Sequence, residues 1–352
     1  MPKRKRKLIE LGLLLLVATI TLLAVLRLQI NPNNYYHITQ TPKRFKLITR
    51  DQSKSIGYNL TDLPLDDQSR LLNVTNFKFL INNDVCSDPE PPLILTFVHS
   101  APGNFKHRET IRNTWGRELK IVFLLGQTST TLQKHIENED MSYRDIVQGN
   151  FIDSYGNLTY KHIMGHKWAL YHCPGAKYIL KTDDDVLVNV TLLKKYIQSK
   201  LSVLGARDLI LCDINLTIVQ RSHKSRWRVP HKDYPDRWYP PFCNGWAILY
   251  SPDVSFKLYS MSSKTKFFWI DDVFVTGILP QLINLPLTSV FPWAIYRDEV
   301  KPLLSKSSLD PSDDFLFCYP DKFLPQMNKL WTIILNTKRY SAMSSPNDFA
   351  VR

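Results

Sequence analysis

Tyr178-Ile179-Leu180-Lys181-Thr182-Asp183-Asp184-Asp185-Val186 is the stretch whose reading decides the fold. It opens as an apolar run of strand length and closes on three consecutive carboxylates. Carboxylates crowded at a strand end resist ionisation unless a cation neutralises them. A divalent metal with oxygen ligands meets that need. A metal held there in turn grips a diphosphate, so a nucleotide-sugar enzyme is the first hypothesis. Taken alone, Asp-Asp-Asp fits a solvated acidic turn or a helix N-cap as well.

Working outward, Leu93-Ile94-Leu95-Thr96-Phe97-Val98, Ile121-Val122-Phe123-Leu124-Leu125 and Leu209-Ile210-Leu211 are further runs of strand length. The stretches 130–140 and 158–171 between them read as helical. Strands alternating with helices predict an α/β domain with a mainly parallel sheet. In such sheets ligands bind beyond the carboxyl ends of the strands, where the Asp triplet falls.

The chain has 352 residues, 44% of them apolar, enough for one large or two small domains. Its formal charge of +13 is partly local, in the run Lys3 to Lys7. An apolar segment from Leu8 to Leu26, interrupted by Glu10, follows it. It reads as a short membrane span with the basic flank cytosolic and the rest luminal. A cleaved signal peptide is the competing reading, but the run is long for one and no small-x-small cleavage site follows Val25. The expected order is a cytosolic tail (1–7), a signal-anchor (8–27), a polar stem (28–84) and a catalytic domain (85–352). Sequons at Asn59, Asn73, Asn157, Asn189 and Asn215 agree with a lumen. Asn59, Asn73 and Asn215 are the expected glycan sites, whereas Asn157 and Asn189 are expected to be buried and unglycosylated. Five cysteines allow two disulfides and one leftover in an oxidising compartment, in pairings the spacing does not reveal. Outside the tail Lys and Arg are scattered, and a luminal address removes nucleic acid as a partner. Solubility, or attraction to membrane surfaces or anionic glycans, remains.

Four more blocks accompany the triplet: Arg108-Glu109-Thr110-Ile111-Arg112-Asn113-Thr114-Trp115-Gly116, Asp153-Ser154-Tyr155-Gly156-Asn157-Leu158-Thr159-Tyr160-Lys161, Tyr239-Pro240-Pro241-Phe242-Cys243-Asn244-Gly245 and Trp269-Ile270-Asp271-Asp272-Val273. Arg108 and Arg112 share one face of a helix, a pair suited to a diphosphate or to packing beside Trp115. In this order the set resembles the β1,3-galactosyltransferase family, glycosyltransferase family 31, over about residues 93–280.

The resemblance implies a Rossmann-like GT-A fold with a mixed, mainly parallel sheet on a type II Golgi anchor and stem. It implies a UDP-sugar donor held through Mn²⁺, inversion to a β1,3 link, and a glycan acceptor on glycoprotein or glycolipid. Galactose is the expected sugar and N-acetylglucosamine the alternative; an inactive glycan-binding relative is a third reading, and a luminal metal-dependent hydrolase a fourth. Carried over by position, Asp185 is the expected direct metal ligand and Asp183 its support. Arg108, Arg112, Asp153, Lys161, Asp183 and Asp184 match donor-pocket positions. Asp271-Asp272 matches the acidic pair whose second member is the general base; without the other blocks it reads as an ordinary helix start. Trp246 and Trp269 are acceptor-platform candidates, with core packing as the alternative. Cys243 matches a position often disulfide-bonded, with Cys212 as the expected partner. Two departures stand out. Relatives often carry a C-terminal histidine at the metal site, whereas this chain has none after His231 and has Phe317-Cys318-Tyr319-Pro320-Asp321 in that region. Gly245-Trp246-Ala247 also differs from the commoner small-residue pattern.

Overall fold

The computed structural model describes residues 45–49, 57–320 and 323–343. The basic tail and the expected signal-anchor lie outside these residues. Among the described residues no helix is long and apolar enough to cross a membrane.

The central sheet runs in the order β11 (Thr288–Ser289), β9 (Ile210–Asn215), β10 (Phe242–Tyr250), β6 (Tyr178–Asp183), β3 (Ile94–His99), β4 (Lys120–Gln127), β5 (Ile146–Ile152) and β2 (Phe79–Ile81). β6, β3, β4 and β5 are parallel; β10 is antiparallel to β6 and β9, and β2 to β5. Two small sheets flank it: β1 (Lys46–Leu47) with β8 (Ala206–Arg207), and β12 (Ala294–Tyr296) with β13 (Phe317–Tyr319) and β7 (Leu187–Val188). The alternation of helix and strand expected from the sequence is present, with helices Phe105–Asn113, Thr130–Tyr143 and Leu158–His172 at the anticipated places.

Both faces of the sheet are covered, which is why its strands are continuously apolar. The two-residue period of β3 sends Ile94 and Val98 into one core and Leu95 and Phe97 into the other. Helix Leu158–His172 lies tight on the second face. A Cβ on its Gly165 would come within 2.7 Å of Leu124 and 2.9 Å of Phe97, so glycine sets that approach. The disulfide Cys212–Cys243 joins β9 to β10, and Cys86–Cys173 ties the segment before β3 to the end of the helix. Cys318 is a buried free thiol.

The expected stem is a correction. Residues 57–84 are part of the folded domain: Leu71 and Phe77 are buried in the core and β2 extends the sheet. Asp67 accepts from the buried Lys167 ammonium at 3.1 Å and from the hydroxyls of Tyr171 and Tyr259, each at 2.8 Å. The polar composition of 28–84 hid this, because its few apolar residues are spaced without a helix or strand period. Truncation at residue 85 therefore strands a buried lysine and opens the core. Breaking a buried ion pair costs roughly 3–5 kcal/mol. The fragment 85–352 is expected to aggregate or melt without cooperativity, and 45–352 to melt in one transition, as read by circular dichroism and gel filtration.

Candidate active site

β6 and β3 end side by side, with Asp183 opposite His99 in the register. The carboxyl edge so formed collects most of the residues singled out from the sequence. Lys181, buried in β6, is at its centre. Its ammonium donates to Asp183 Oδ1 at 2.6 Å and to the Gly245 carbonyl of β10. Burial alone would lower its pKa, but Asp183, Asp271 and Asp272 outweigh that and hold it charged. Burial raises Asp183, and Lys181 opposes this without cancelling it.

Asp184 points the other way. It accepts from Ser100 Oγ (2.6 Å), Asn104 Nδ2 (2.9 Å) and His107 Nδ1 (3.4 Å). These bonds outweigh its burial and depress its pKa, while Asp184 raises that of His107. Asp184 is thus an anchor for the loop after β3. Asp185 is raised to about 6, by burial first and then by Asp183 and Asp184. Its hydrogen-bond partner is the hydroxyl of Tyr319, brought in because β13 pairs with β7 just after the triplet. Tyr319 thus occupies the region where the sequence lacks the histidine.

Asp271 and Asp272 begin the helical turn Asp271–Val273. His162 Nδ1 lies 3.2 Å from Asp271, and His162 Nε2 lies 3.2 Å from the Tyr250 hydroxyl. Burial lowers the pKa of His162 despite Asp271, so the ring is neutral. The Nδ1 proton then goes to Asp271 and Nε2 accepts from Tyr250. Burial would raise Asp271, but His162 and Lys181 hold it below the usual range. Asp272 goes the other way, pushed well up by burial and by the Asp271 charge. The pair thus separates into an ionised orienting member and a member with raised basicity. Asp272 lies directly over Gly245: a Cβ there would sit 1.8 Å from Asp272 Oδ1. The glycine of the Phe242-Cys243-Asn244-Gly245 run is what admits the carboxylate.

Two donor-pocket assignments are corrected. Arg108 is fully buried and spends its donors on Glu139 (2.8 and 2.7 Å), Ser100 Oγ (2.9 Å) and the carbonyls of Ala101 (2.7 Å) and Pro102 (3.2 Å). Arg112 pairs with Glu139 at 2.7 Å and Asp145 at 2.8 Å, its guanidinium stacked on Tyr143 and Phe123. They do share one helix face, but it is turned to internal carboxylates rather than to a diphosphate. Arg108 still reaches the site indirectly, through the Ser100 hydroxyl that holds Asp184.

Asp153 and Lys161 are joined at 2.8 Å. Asp153 also accepts the Gly126 amide at 2.6 Å, and Lys161 donates to the Ser100 carbonyl at 2.5 Å. They brace the ends of β3, β4 and β5 against one another. Trp246 is a further correction of place. It is 7% exposed, packed on Phe317 and Tyr319, and donates to the Tyr296 hydroxyl at 3.2 Å. It is core rather than platform, whereas Trp269 is half-buried and meets Tyr155 edge-on.

Among the sequons, Asn59 and Asn73 are exposed. Asn215 is half-buried and donates to Asn244 at 2.8 Å, and Asn244 donates to Asp213 at 2.6 Å, which ties that sequon into the site's edge. Asn189 is buried and caps helix Val190–Lys200. The sequence reading missed His162, Tyr250, Lys181 and Tyr319. The i, i+4 pair His162 and His166 on an apolar helix, and a lysine inside a buried strand, were the available signals.

Among the described residues no three His, Cys, Asp or Glu side chains are grouped as a ready-made metal site. The donors present nonetheless suit a hard divalent cation. Asp185 carries surplus negative charge, with Asp183 behind it, and the rest of such a shell falls to ligand oxygens.

A family model described as galactosyltransferase matches residues 106–290. Human beta-1,3-galactosyltransferase 1 is 35% identical over 223 residues, 61% of this chain and 68% of its own. The mouse lactosylceramide 1,3-N-acetyl-beta-D-glucosaminyltransferase is 35% identical over 228 residues, 58% of this chain and 60% of its own. Beta-1,3-galactosyltransferase 5 of Pan paniscus is 32% identical over 238 residues, covering 65% and 78%. Of solved structures, a glycosyltransferase involved in glycosylation of the PBCV-1 major capsid aligns with 68% of this chain and 98% of its own, at 10% identity and a TM-score of 0.35. With its family model spanning the five blocks from Arg108 to Asp272, this chain belongs to the galactosyltransferase family.

Proposed function

We propose that this protein is an inverting β1,3-hexosyltransferase with a GT-A arrangement, moving galactose from UDP-galactose to a glycan hydroxyl in the Golgi lumen with Mn²⁺. The observation that carries the reading is geometric: Asp271, held by His162, and Asp272, seated over Gly245, adjoin the Lys181 ammonium that bonds Asp183 and the Gly245 carbonyl, in a chain of this family. Asp272 accepts the acceptor hydroxyl's proton as that oxygen attacks the anomeric carbon. Asp271, held by His162, which Tyr250 backs in turn, orients it. Asp185, with Asp183 in support, would hold the cation. When bound, the cation neutralises charge developing on the diphosphate leaving group. Lys181 keeps the carboxylate edge intact without itself facing solvent.

The test is UDP release by the solubilised full chain across a donor-by-acceptor panel. Release is expected with UDP-galactose only when both Mn²⁺ and an acceptor are present. EDTA abolishes it, and Asp185→Ala loses the Mn²⁺ response. UDP binding with no transfer to any acceptor would overturn the reading. Transfer of N-acetylglucosamine is the second reading, favoured by the mouse N-acetylglucosaminyltransferase, which matches at the same 35% identity.

A further inference from the structure

The loop 216–241, between β9 and β10, carries six Arg or Lys against two Asp. Six of the chain's 45 Lys and Arg residues thus fall in this one loop, which meets the candidate site through Tyr155 and Trp269. Arg221 braces the loop by donating to the carbonyls of Val229 (2.8 Å), Tyr234 (2.7 Å) and Asp236 (2.7 Å). An Ile218–Trp238 bridge closes its base. A segment with little regular structure is thus held in one shape.

From it Trp227 projects 45% exposed, and its indole N–H donates to the hydroxyl of Tyr155, itself 50% exposed, at 2.7 Å. The Arg226 guanidinium stacks on both rings, 4.4 Å from the Trp227 centroid and 5.2 Å from Tyr155. Among the described residues no carboxylate pairs with it. Tyr155 meets Trp269 at 6.2 Å, and Trp269 precedes Asp271 by two residues. A row of three aromatic rings, topped by an arginine, leads from the basic loop to the acidic pair.

Exposed rings of this kind stack on the apolar faces of sugars while keeping their polar edges wet. A guanidinium without a carboxylate partner matches carboxylate or sulfate by two parallel hydrogen bonds. We propose that Arg226, Trp227 and Tyr155 form an acceptor subsite for an anionic saccharide, one bearing a carboxylate or a sulfate next to the sugar that is glycosylated. The inference rests on the transferase reading above and names its acceptor class.

The experiment uses matched acceptors that share a terminal hydroxyl and are neutral, sulfated or carboxylated. The expected result is a KM at least ~10-fold lower for one or both anionic acceptors, with the advantage shrinking as salt is raised past physiological strength. The sulfated and carboxylated arms tell the two sources of charge apart. Arg226→Gln is expected to erase most of the preference, Arg226→Lys to restore part of it, and Trp227→Ala to raise KM for the anionic acceptors with little change in kcat. Equal use of neutral and anionic acceptors, or a preference that survives both Arg226→Gln and Trp227→Ala, overturns the proposal. Trp227 fluorescence on titration with a deoxy anionic saccharide, lacking the reacting hydroxyl, reads the subsite without turnover. Saturable quenching in a chain that transfers no sugar retires the transferase reading and keeps the subsite; transfer without such quenching does the reverse.

Discussion

Asp272→Asn is expected to lower kcat by roughly 10³-fold while leaving UDP binding within about threefold of wild type. Asp272 is the member of the acidic pair whose pKa is pushed up, by burial and then by the Asp271 charge. A base with raised pKa drives proton removal harder at neutral pH, and general-base catalysis contributes about 10²–10⁴-fold. Asparagine keeps the shape over Gly245 but accepts no proton. Asp271→Asn has a different signature, because Asp271 sits in the hydrogen-bonded row from Tyr250 through His162 and acts by orienting. Its effect should be smaller than that of Asp272→Asn. Activity of the wild type should fall as pH drops through the raised Asp272 value, because the protonated carboxyl cannot accept, and that acid limb should vanish from the residual activity of Asp272→Asn. Transfer surviving Asp272→Asn at a tenth of wild type or more would take the residue out of the base role. Gly245→Ala tests the same geometry from the other side: a methyl 1.8 Å from Asp272 Oδ1 must expel that carboxylate, so its kcat should approach that of Asp272→Asn.

How much of this was readable beforehand depends on the kind of signal. The alternation of β3, β4 and β6 with helices was legible because parallel strands buried on both faces are continuous apolar runs, whereas β5, interrupted by Gln148, Gly149 and Asn150, was not. The acidic blocks were legible as a constellation, with the triplet at a strand end and Asp271-Asp272 at a helix start. Direction was not. Arg108 and Arg112 are spaced to share a helix face, but only the tertiary arrangement shows that Glu139 and Asp145 meet that face. Trp246 illustrates the same gap, since a tryptophan beside a glycine turn reads alike whether it faces solvent or Tyr319. The Tyr319–Asp185 contact depends on the pairing of β13 with β7, more than a hundred residues apart, which no local pattern encodes. Domain start was misjudged for a related reason: Asp67 stabilises the fold through Lys167, a partner 100 residues away.

Lys181→Met should be the most destabilising single substitution at the site. Three adjacent carboxylates need a cation, and from the sequence that need falls to a metal. Part of it is met from within the strand. The Lys181 ammonium is buried, bonded to Asp183 and to the Gly245 carbonyl, and favourably placed for Asp271 and Asp272. Methionine fills the volume but leaves Asp183 and the Gly245 carbonyl without their donor. Removing one partner of a buried ion pair costs roughly 3–5 kcal/mol, or a fall in Tm on the order of 10 °C for a domain of this size. The pH dependence gives the effect its signature. In the wild type the folded pKa of Lys181 is raised, so its contribution is fully present below the unfolded lysine value and is lost only above it; between pH 5 and 8 it is constant. In the variant, Asp183 and Asp272 lose their compensating charge, and their folded pKa values rise further above the unfolded ones. A carboxyl so raised stabilises the fold while protonated and loses that contribution as pH climbs through its folded value. Lys181→Met should therefore be less destabilised at pH 5 than at pH 8 in thermal melts. Adding Asp183→Asn should recover at least half of the lost Tm at pH 8, because the double variant removes the stranded charge along with its partner. A deficit independent of pH and additive with Asp183→Asn would assign Lys181 to packing, and would return the whole burden of neutralising the triplet to a bound cation.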